Sequence, residues 1–216
     1  MTSATRPRVL LADDHRMFAE GIKRILAPEF DLLEVVEDGQ ALLEAAERLK
    51  PDVVVADITM PRLNGIDATT RLRQMNDRVR VVLLTMHPDT AFVRRAFDAG
   101  ASGYVLKHSA PDELIAAINA ALKGKTFVTP TLAGELMHDA TGTPGGPSDP
   151  LATLTTRQRE ILQRVAEGRS AKEIASDLQL STRTVEFHKY RIMETLNLHS
   201  TAELVHFAIK HGIVQI

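Results

Sequence analysis

The sequence predicts two domains of different class. The first is an α/β domain on a five-stranded parallel, doubly wound sheet, and the second is an all-α domain of four helices. Three observations predict this. Before residue 125, short β-branched runs alternate five times with helical apolar stripes. The stretch Thr141-Gly-Thr-Pro-Gly-Gly-Pro-Ser-Asp-Pro150 then interrupts all periodicity and reads as a flexible linker. Beyond it, apolar residues recur only at helical spacing, each stripe behind a helix-start signature.

The elements follow in order. Val9 to Ala12 is a strand ending in Asp13-Asp14, and Phe18, Ile22, Ile25 and Leu26 mark the first helix. Leu32 to Val36 is the second strand, followed by a stripe of Ala41, Leu42, Ala45, Ala46 and Leu49 that Pro51 stops. Val53 to Ala56 is the third strand and ends in Asp57; Ala68, Leu72 and Met75 mark the helix after it. Val79 to Leu84, ending in Thr85, precedes a helix through Phe92, Ala96, Phe97 and Ala99 that stops at Gly100. Tyr104-Val105-Leu106 is the fifth strand, followed by Lys107 and a helix opened by Pro111. Unbroken β-branched runs imply strands buried on both faces, hence a parallel sheet covered by helices.

In the last third, Thr155-x-x-Gln158, Ser170-x-x-Glu173 and Ser200-x-x-Glu203 have the capping-box pattern. Ser181 caps a further helix, from about Thr182 to Leu196, and Gly168 ends the first. The second and third of these helices are separated only by Gln179-Leu180-Ser181, the short-turn-long arrangement of a helix-turn-helix.

Composition narrows the functional classes. Of 216 residues, 44% are apolar and 25% charged, enough apolar surface to form cores, which excludes a disordered chain. The chain has no cysteine, which excludes disulfide frameworks and cysteine-held zinc or iron–sulfur centres and fits a reducing cytosol. Met1 to Arg8 lacks the apolar core of a signal peptide, and no run approaches the roughly 20 apolar residues of a membrane span. The expected location is cytoplasmic, away from membranes. Net charge is −2, but residues 151–216 carry nine basic against seven acidic residues, a bias permissive for DNA. No P-loop or dinucleotide fingerprint is present.

Asp13, Asp14, Asp57, Thr85 and Lys107 all fall at the C-terminal ends of predicted strands, the edge where open α/β sheets bind ligands. Three carboxylates at close range repel unless a cation joins them, and Mg²⁺ suits such an all-oxygen set. A lysine supplies a point charge for a phosphoryl oxygen, a threonine a hydrogen bond, and a carboxylate can attack phosphorus to give an acyl phosphate. Each residue also has a plain structural reading, an aspartate capping a helix or ending a strand in a turn, but their joint register favours the chemical one.

These residues, with Asp57-Ile-Thr-Met-Pro-Arg-Leu-Asn-Gly65, resemble the flavodoxin-like receiver domain of two-component response regulators over residues 7–124. The resemblance implies that Asp57 accepts a phosphoryl group from a sensor histidine kinase. It implies Mg²⁺ held by Asp14 and Asp57, by Asp13 through water and by the backbone carbonyl of Thr59. It also implies that Lys107 pairs with the phosphate, that Thr85 moves to bond it, and that Tyr104 follows inward as an aromatic switch. Two positions depart from the usual pattern: Met86 is bulky, and His108 rather than proline follows Lys107. Met86 is expected to narrow access to Asp57, whereas His87 reads as a solvated loop residue.

At 100° per residue, Val185, Ile192 and Leu196 share the core side of the Thr182–Leu196 helix. Arg183, Glu186, Phe187 and Tyr190 point away, with Thr184 and Arg191 flanking. Aromatic residues on a wet face fit a helix–helix contact or a recognition helix in the major groove. In the second reading Arg183 and Glu186 meet base edges, while Lys189 and Arg191 reach phosphates.

Leu154-Thr-x-Arg157-Gln-x-Glu160-Ile-Leu162, Gly168, Lys172-Glu-Ile-Ala175, Leu180-Ser181, Thr184-Val185 and His188 resemble the LuxR-type DNA-binding domain of NarL/FixJ regulators. That resemblance implies four helices, the last, about 201–211, serving dimerisation. Glu186 departs from it, standing where many relatives have lysine. His188 is expected half-buried, not bound to metal.

The expected organisation is a receiver at 1–124, a connecting helix and linker at 125–150, and a DNA-binding domain at 151–216. The expected function is a phosphorylation-controlled transcription regulator rather than an enzyme. Its partners would be a sensor kinase, promoter DNA, a second copy of itself and RNA polymerase. The rivals are a phosphatase with a nucleophilic aspartate, and a regulator whose receiver is only a dimerisation scaffold.

Overall fold

The computed structural model describes residues 6–214 apart from 87, 110 and 142–149. His87 and nearly all of the expected linker therefore lie outside the described residues. The chain divides into two compact units, one built on residues 1–60 and 64–142, the other on 61–63 and 143–216.

The first unit alternates strand and helix. Its elements are β1 (Arg8–Ala12), α1 (Arg16–Leu26), β2 (Asp31–Val36), α2 (Gly39–Leu49), β3 (Val53–Asp57) and α3 (Gly65–Met75), then β4 (Arg80–Thr85), α4 (Thr90–Asp98), β5 (Gly103–Leu106), α5 (Pro111–Leu122), β6 (Phe127–Val128) and α6 (Pro130–Thr141). All strands are parallel, in the order β2-β1-β3-β4-β5-β6. The order reverses between β1 and β3, which opens a crevice at their C-terminal ends.

The sheet has six strands where the periodicity predicted five. The sixth is two residues long, too short for a periodic signal. Phe127 N–H bonds Ser102 O and Thr129 N–H bonds Tyr104 O, both at 3.0 Å, covering the edge of β5.

Every residue of β3 is buried, as the β-branched run required. One face of the sheet packs Val9, Leu11, Val53, Val55, Val82 and Leu84 against Ala19, Ile22 and Leu26 of α1 and Leu114, Ala117 and Ile118 of α5. Asp38, Asn64 and Asp89 cap α2, α3 and α4 by accepting backbone N–H bonds. Met75, expected on the buried stripe of α3, is instead half exposed at that helix's last residue.

The second unit opens with a 3₁₀ turn (Pro150–Thr153), followed by α7 (Thr156–Ala166), α8 (Ala171–Asp177), α9 (Thr182–Leu196) and α10 (Thr201–Lys210). Thr155 and Ser170 form complete capping boxes with Gln158 and Glu173. Ser200 also caps its helix, but Glu203 reaches past it to the His199 N–H, so the third box is only half formed. Leu154, Ile161, Leu162, Ile174, Val185, Ile192, Leu204 and Ala208 form the core. Arg157 donates to Glu160 at 3.0 Å and to the Leu178 carbonyl at 2.7 Å, tying α7 to the end of α8.

Candidate functional site

Strand register assembles the cleft. Ala12 pairs with Ala56, so Asp13 and Asp57 leave the sheet level with each other. Thr85 pairs with Leu106, and Lys107, the next residue, donates its backbone N–H to Thr85 O at 2.7 Å. Lys107 Nζ lies 2.7 Å from Asp57 Oδ2 and 2.8 Å from Asp13 Oδ2. All three side chains are buried. The Thr59 N–H donates to Asp57 Oδ1 at 3.3 Å. Asp14 stands at the mouth, its side chain about one-third exposed.

The turn after Asp57 explains the glycine that closes its motif. Gly65 donates to Ile58 O at 2.8 Å, bringing the start of α3 against β3. A Cβ at Gly65 would lie 2.2 Å from the Asp57 carbonyl oxygen, so any larger residue would push this backbone apart.

Burial disfavours the Asp57 charge and pushes its carboxyl pKa up to about 6. The Lys107 ammonium opposes that shift, the Asp13 charge reinforces it, and the Thr59 N–H opposes it. This is an unfavourable arrangement of acids around one lysine, improved by any added cation. Both Asp13 oxygens are engaged, Oδ2 by Lys107 and Oδ1 by the His15 N–H at 2.8 Å. Asp13 Oδ2 and Asp14 Oδ1 are both buried and accept no hydrogen bond; their near neighbours are the Lys107 ammonium at 2.8 Å and His15 Nδ1 at 3.0 Å. One carboxylate oxygen each of Asp13, Asp14 and Asp57 and one ring nitrogen of His15 lie within 4.8 Å of one another. A small divalent ion with oxygen ligands fits this set.

Behind the cleft, Thr85 and Tyr104 are fully buried, and the phenol hydrogen-bonds the Thr85 side chain. Burial raises the phenol pKa and keeps it neutral. Two further residues join the site that the sequence did not single out. His15 directs its ring at the acids, with Nδ1 3.0 Å from Asp14 Oδ1. The Phe18 ring centre sits 4.7 Å from Lys107 Nζ, over the ammonium. The adjacency of His15 to Asp13-Asp14 was the one available signal; Phe18 read only as part of an apolar stripe.

On α9, Arg183, Glu186, Phe187 and Tyr190 are all exposed, Phe187 by 60% and Tyr190 by 66%. Thr184 and Lys189 are half-buried, and the Thr184 hydroxyl lies 2.8 Å from that of Ser181. Arg191 is exposed but its guanidinium meets Glu194 at 2.6 Å. His188 is half-buried, its ring edge against Phe187.

Residues 9–119 match the response regulator receiver domain family, and residues 152–208 match the luxR family of bacterial regulatory proteins. The transcriptional regulatory protein MctR of Rhizobium johnstonii is 37% identical, covering 99% of this chain and 98% of that protein. The response regulator UvrY of Escherichia coli is 32% identical, covering 95% and 94%. Among solved structures, the RcsB response regulator of Salmonella typhimurium is 27% identical, covering 94% of this chain and 98% of its own, with a TM-score of 0.59. RcsB is also known as two dimers bound to two parallel DNAs. With a receiver fold in one unit, a helix-turn-helix in the other and relatives matched along nearly their whole length, the chain belongs to the LuxR-family DNA-binding response regulators of two-component systems.

Proposed function

We propose that Asp57 is the phosphoacceptor through which a sensor histidine kinase controls DNA binding by the second unit. The observation that carries this is the buried Asp57 carboxylate, 2.7 Å from Lys107 Nζ and level with Asp13. In the transfer, an Asp57 oxygen forms a bond to phosphorus while the P–N bond of a phosphohistidine breaks. The imidazole leaves with the bonding electrons, and a mixed anhydride remains on Asp57. Lys107 turns its ammonium from carboxylate to phosphoryl oxygen, and the Thr85 hydroxyl supplies a second donor. Asp14, Asp57, the Thr59 carbonyl and, through water, Asp13 would hold Mg²⁺, which supplies positive charge that offsets that of the transferring group. Asp57 is a stoichiometric acceptor, and the chain is not an enzyme.

The receiver then comprises 1–124, the connection 125–150 and the DNA reader 151–216. Phosphorylation shifts Thr85 and Tyr104, and with them dimerisation or exposure of α9. As RcsB binds DNA as dimers, a dimer of this chain would read two half-sites of promoter DNA. Arg183, Glu186, Phe187 and Tyr190 would face bases, with Thr184, Lys189 and Arg191 nearer phosphates, and RNA polymerase would be the downstream partner. Arg191 must leave Glu194 to do so. Among the described residues no helix is long and apolar enough to cross a membrane, and the proposed location is the cytoplasm.

The test is intact mass of wild type and Asp57→Ala after acetyl phosphate and Mg²⁺, with sizing and promoter binding on the same samples. A Mg²⁺-dependent adduct on wild type alone, with tighter DNA binding or a larger oligomer, is expected. Equal DNA binding without an adduct reduces the first unit to a scaffold, and steady turnover of phosphomonoesters would mark a phosphatase.

A further inference from the structure

The connecting helix α6 is fastened at its first turn to the strand that leads into Lys107. Thr129 is the residue before Pro130, whose ring fixes a helical φ at the first position of α6. The Thr129 carbonyl accepts from the Leu132 and Ala133 N–H groups at 3.0 and 3.1 Å, so Thr129 caps the helix. Its other two polar groups both point back at β5. Its N–H donates to Tyr104 O at 3.0 Å, and its Oγ1 accepts from the Leu106 N–H at 3.1 Å. Ser109 Oγ lies 3.4 Å from the same Oγ1. Thr129 is buried, as is Leu132 on the first turn of α6. The ladder between β5 and β6 ends at the pairing of Tyr104 with Val128. Beyond it the backbone turns into α6, and the Thr129 hydroxyl takes the place of a strand partner for Leu106.

These bonds join α6 to the moving parts of the cleft. Tyr104 holds its phenol on the Thr85 side chain. Leu106 immediately precedes Lys107, whose N–H donates to Thr85 O at 2.7 Å. Strand order sets the direction of any pull. The cleft lies on the β4 side of β5 and Thr129 on the β6 side. Movement of Thr85 and Tyr104 towards a phosphoryl group on Asp57 therefore draws β5 away from α6. A buried N–H left unpaired costs more than a hydrogen bond ordinarily gains, so Thr129 travels with Leu106 and the first turn of α6 travels with Thr129. We propose that the Thr129 hydroxyl is a clasp coupling the phosphoacceptor cleft to the connecting helix, through which phosphorylation re-aims α6. This rests on the reading of Asp57 as phosphoacceptor and adds the residue that carries its signal out of the sheet. Thr129 touches no reacting atom and acts as a positioning residue.

The experiment measures the distance between spin labels at Glu47→Cys on α2 and Glu135→Cys on α6, both exposed positions in a full chain that has no other cysteine. It is run with and without acetyl phosphate and Mg²⁺ in the wild-type background, in Thr129→Val and in Thr129→Ser, with intact mass reporting the adduct. The wild-type background is expected to show a shift of about 1–2 Å when the adduct forms. Thr129→Val keeps the bulk and the bond to Tyr104 O but removes the acceptor for Leu106. It should form the adduct at the wild-type rate, lose the shift, and lose about fivefold of the phosphorylation-dependent gain in DNA affinity. Thr129→Ser restores the hydroxyl and should recover both. An adduct without a shift in the wild-type background overturns the proposal. So does a full shift in Thr129→Val, which reduces the hydroxyl to sealing the strand edge. If Thr129→Val does not fold, the wild-type distance decides: a shift upholds the proposal and its absence overturns it. No adduct in any variant is a separate failure, that of the Asp57 reading, and the proposal goes with it.

Discussion

Replacing Asp57 with asparagine should stabilise the metal-free receiver, and should do so more as pH rises. Burial raises the Asp57 pKa to about 6 in the folded state against 3.8 as the reference. A group raised in this way contributes its full stability below the unfolded pKa and loses it as pH rises through the folded one. The resulting penalty for the ionised carboxylate is about 3 kcal/mol at pH 8 and about 1 kcal/mol at pH 4.5. Asparagine avoids the charge but points an amide towards the Thr59 N–H, which now donates to Oδ1 at 3.3 Å. Losing that acceptor returns about 1 kcal/mol, leaving a net gain of about 2 kcal/mol at pH 8 and near zero at pH 4.5. At roughly 4 °C per kcal/mol for a unit of this size, the receiver transition should move up by about 8 °C at pH 8. Differential scanning calorimetry in chelator, at both pH values, measures this while the helical unit's transition serves as the internal reference. Excess divalent ion should erase the difference, because it stabilises wild type more than a variant lacking one ligand. A pH-independent shift, or a destabilised variant at pH 8, would refute the burial argument.

Gly65→Ala should cost about 1–3 kcal/mol of receiver stability, read by the same calorimetry, and slow labelling of Asp57, because the new methyl meets backbone atoms that cannot turn aside. Glu186→Lys should strengthen binding to unrelated DNA and steepen its salt dependence by roughly one in log–log slope, read by fluorescence anisotropy, while blurring base preference. Tyr104→Phe keeps the buried ring but removes its hydroxyl, and should reduce phosphorylation-dependent dimerisation or DNA binding about fivefold with the labelling rate unchanged, as the loss of about 1 kcal/mol of coupling. Met86→Ala should raise the rate of labelling by acetyl phosphate several-fold in mass-spectrometric time courses, if the half-exposed thioether narrows the approach to Asp57.

The placement of the cleft's polar residues was legible because they sit at strand ends. A buried strand announces itself as an apolar run, and the first polar residue after it marks the sheet edge. Asp13, Asp57, Thr85 and Lys107 could therefore be placed together before any distance was known, and the parallel register supplied the rest. What depends on side-chain direction was less legible. His15 follows two aspartates, but only the turn fixed by its own N–H shows that the ring faces them. Phe18 is on a stripe whose other members pack into the core, and nothing in spacing distinguishes it as the ring over Lys107. The two-residue β6 lies below any period. In the helical unit, 100° geometry separated Val185 and Ile192 from Phe187 and Tyr190, yet it could not show that Arg191 is held by Glu194.

The hydrogen-bond inventory behind the cleft constrains how the receiver can switch. A threonine hydroxyl has one proton to give and two lone pairs to accept with, and a phenol has one proton of its own. The Thr85–Tyr104 bond admits two arrangements. If the phenol donates to Thr85, the threonine proton can be given to a phosphoryl oxygen and Tyr104 keeps its buried place. If Thr85 donates to the phenol, bonding a phosphoryl oxygen breaks that contact, and the ring, with no solvent exposure, must be re-satisfied or repacked. The first arrangement makes Tyr104 a brace that lengthens the lifetime of the phosphorylated geometry. The second makes it the moving part. In either case this one neutral hydrogen bond would contribute about 1 kcal/mol to the proposed switch, about fivefold in DNA affinity, and a larger response would draw on the phosphoryl group's own contacts or on linkage to dimerisation.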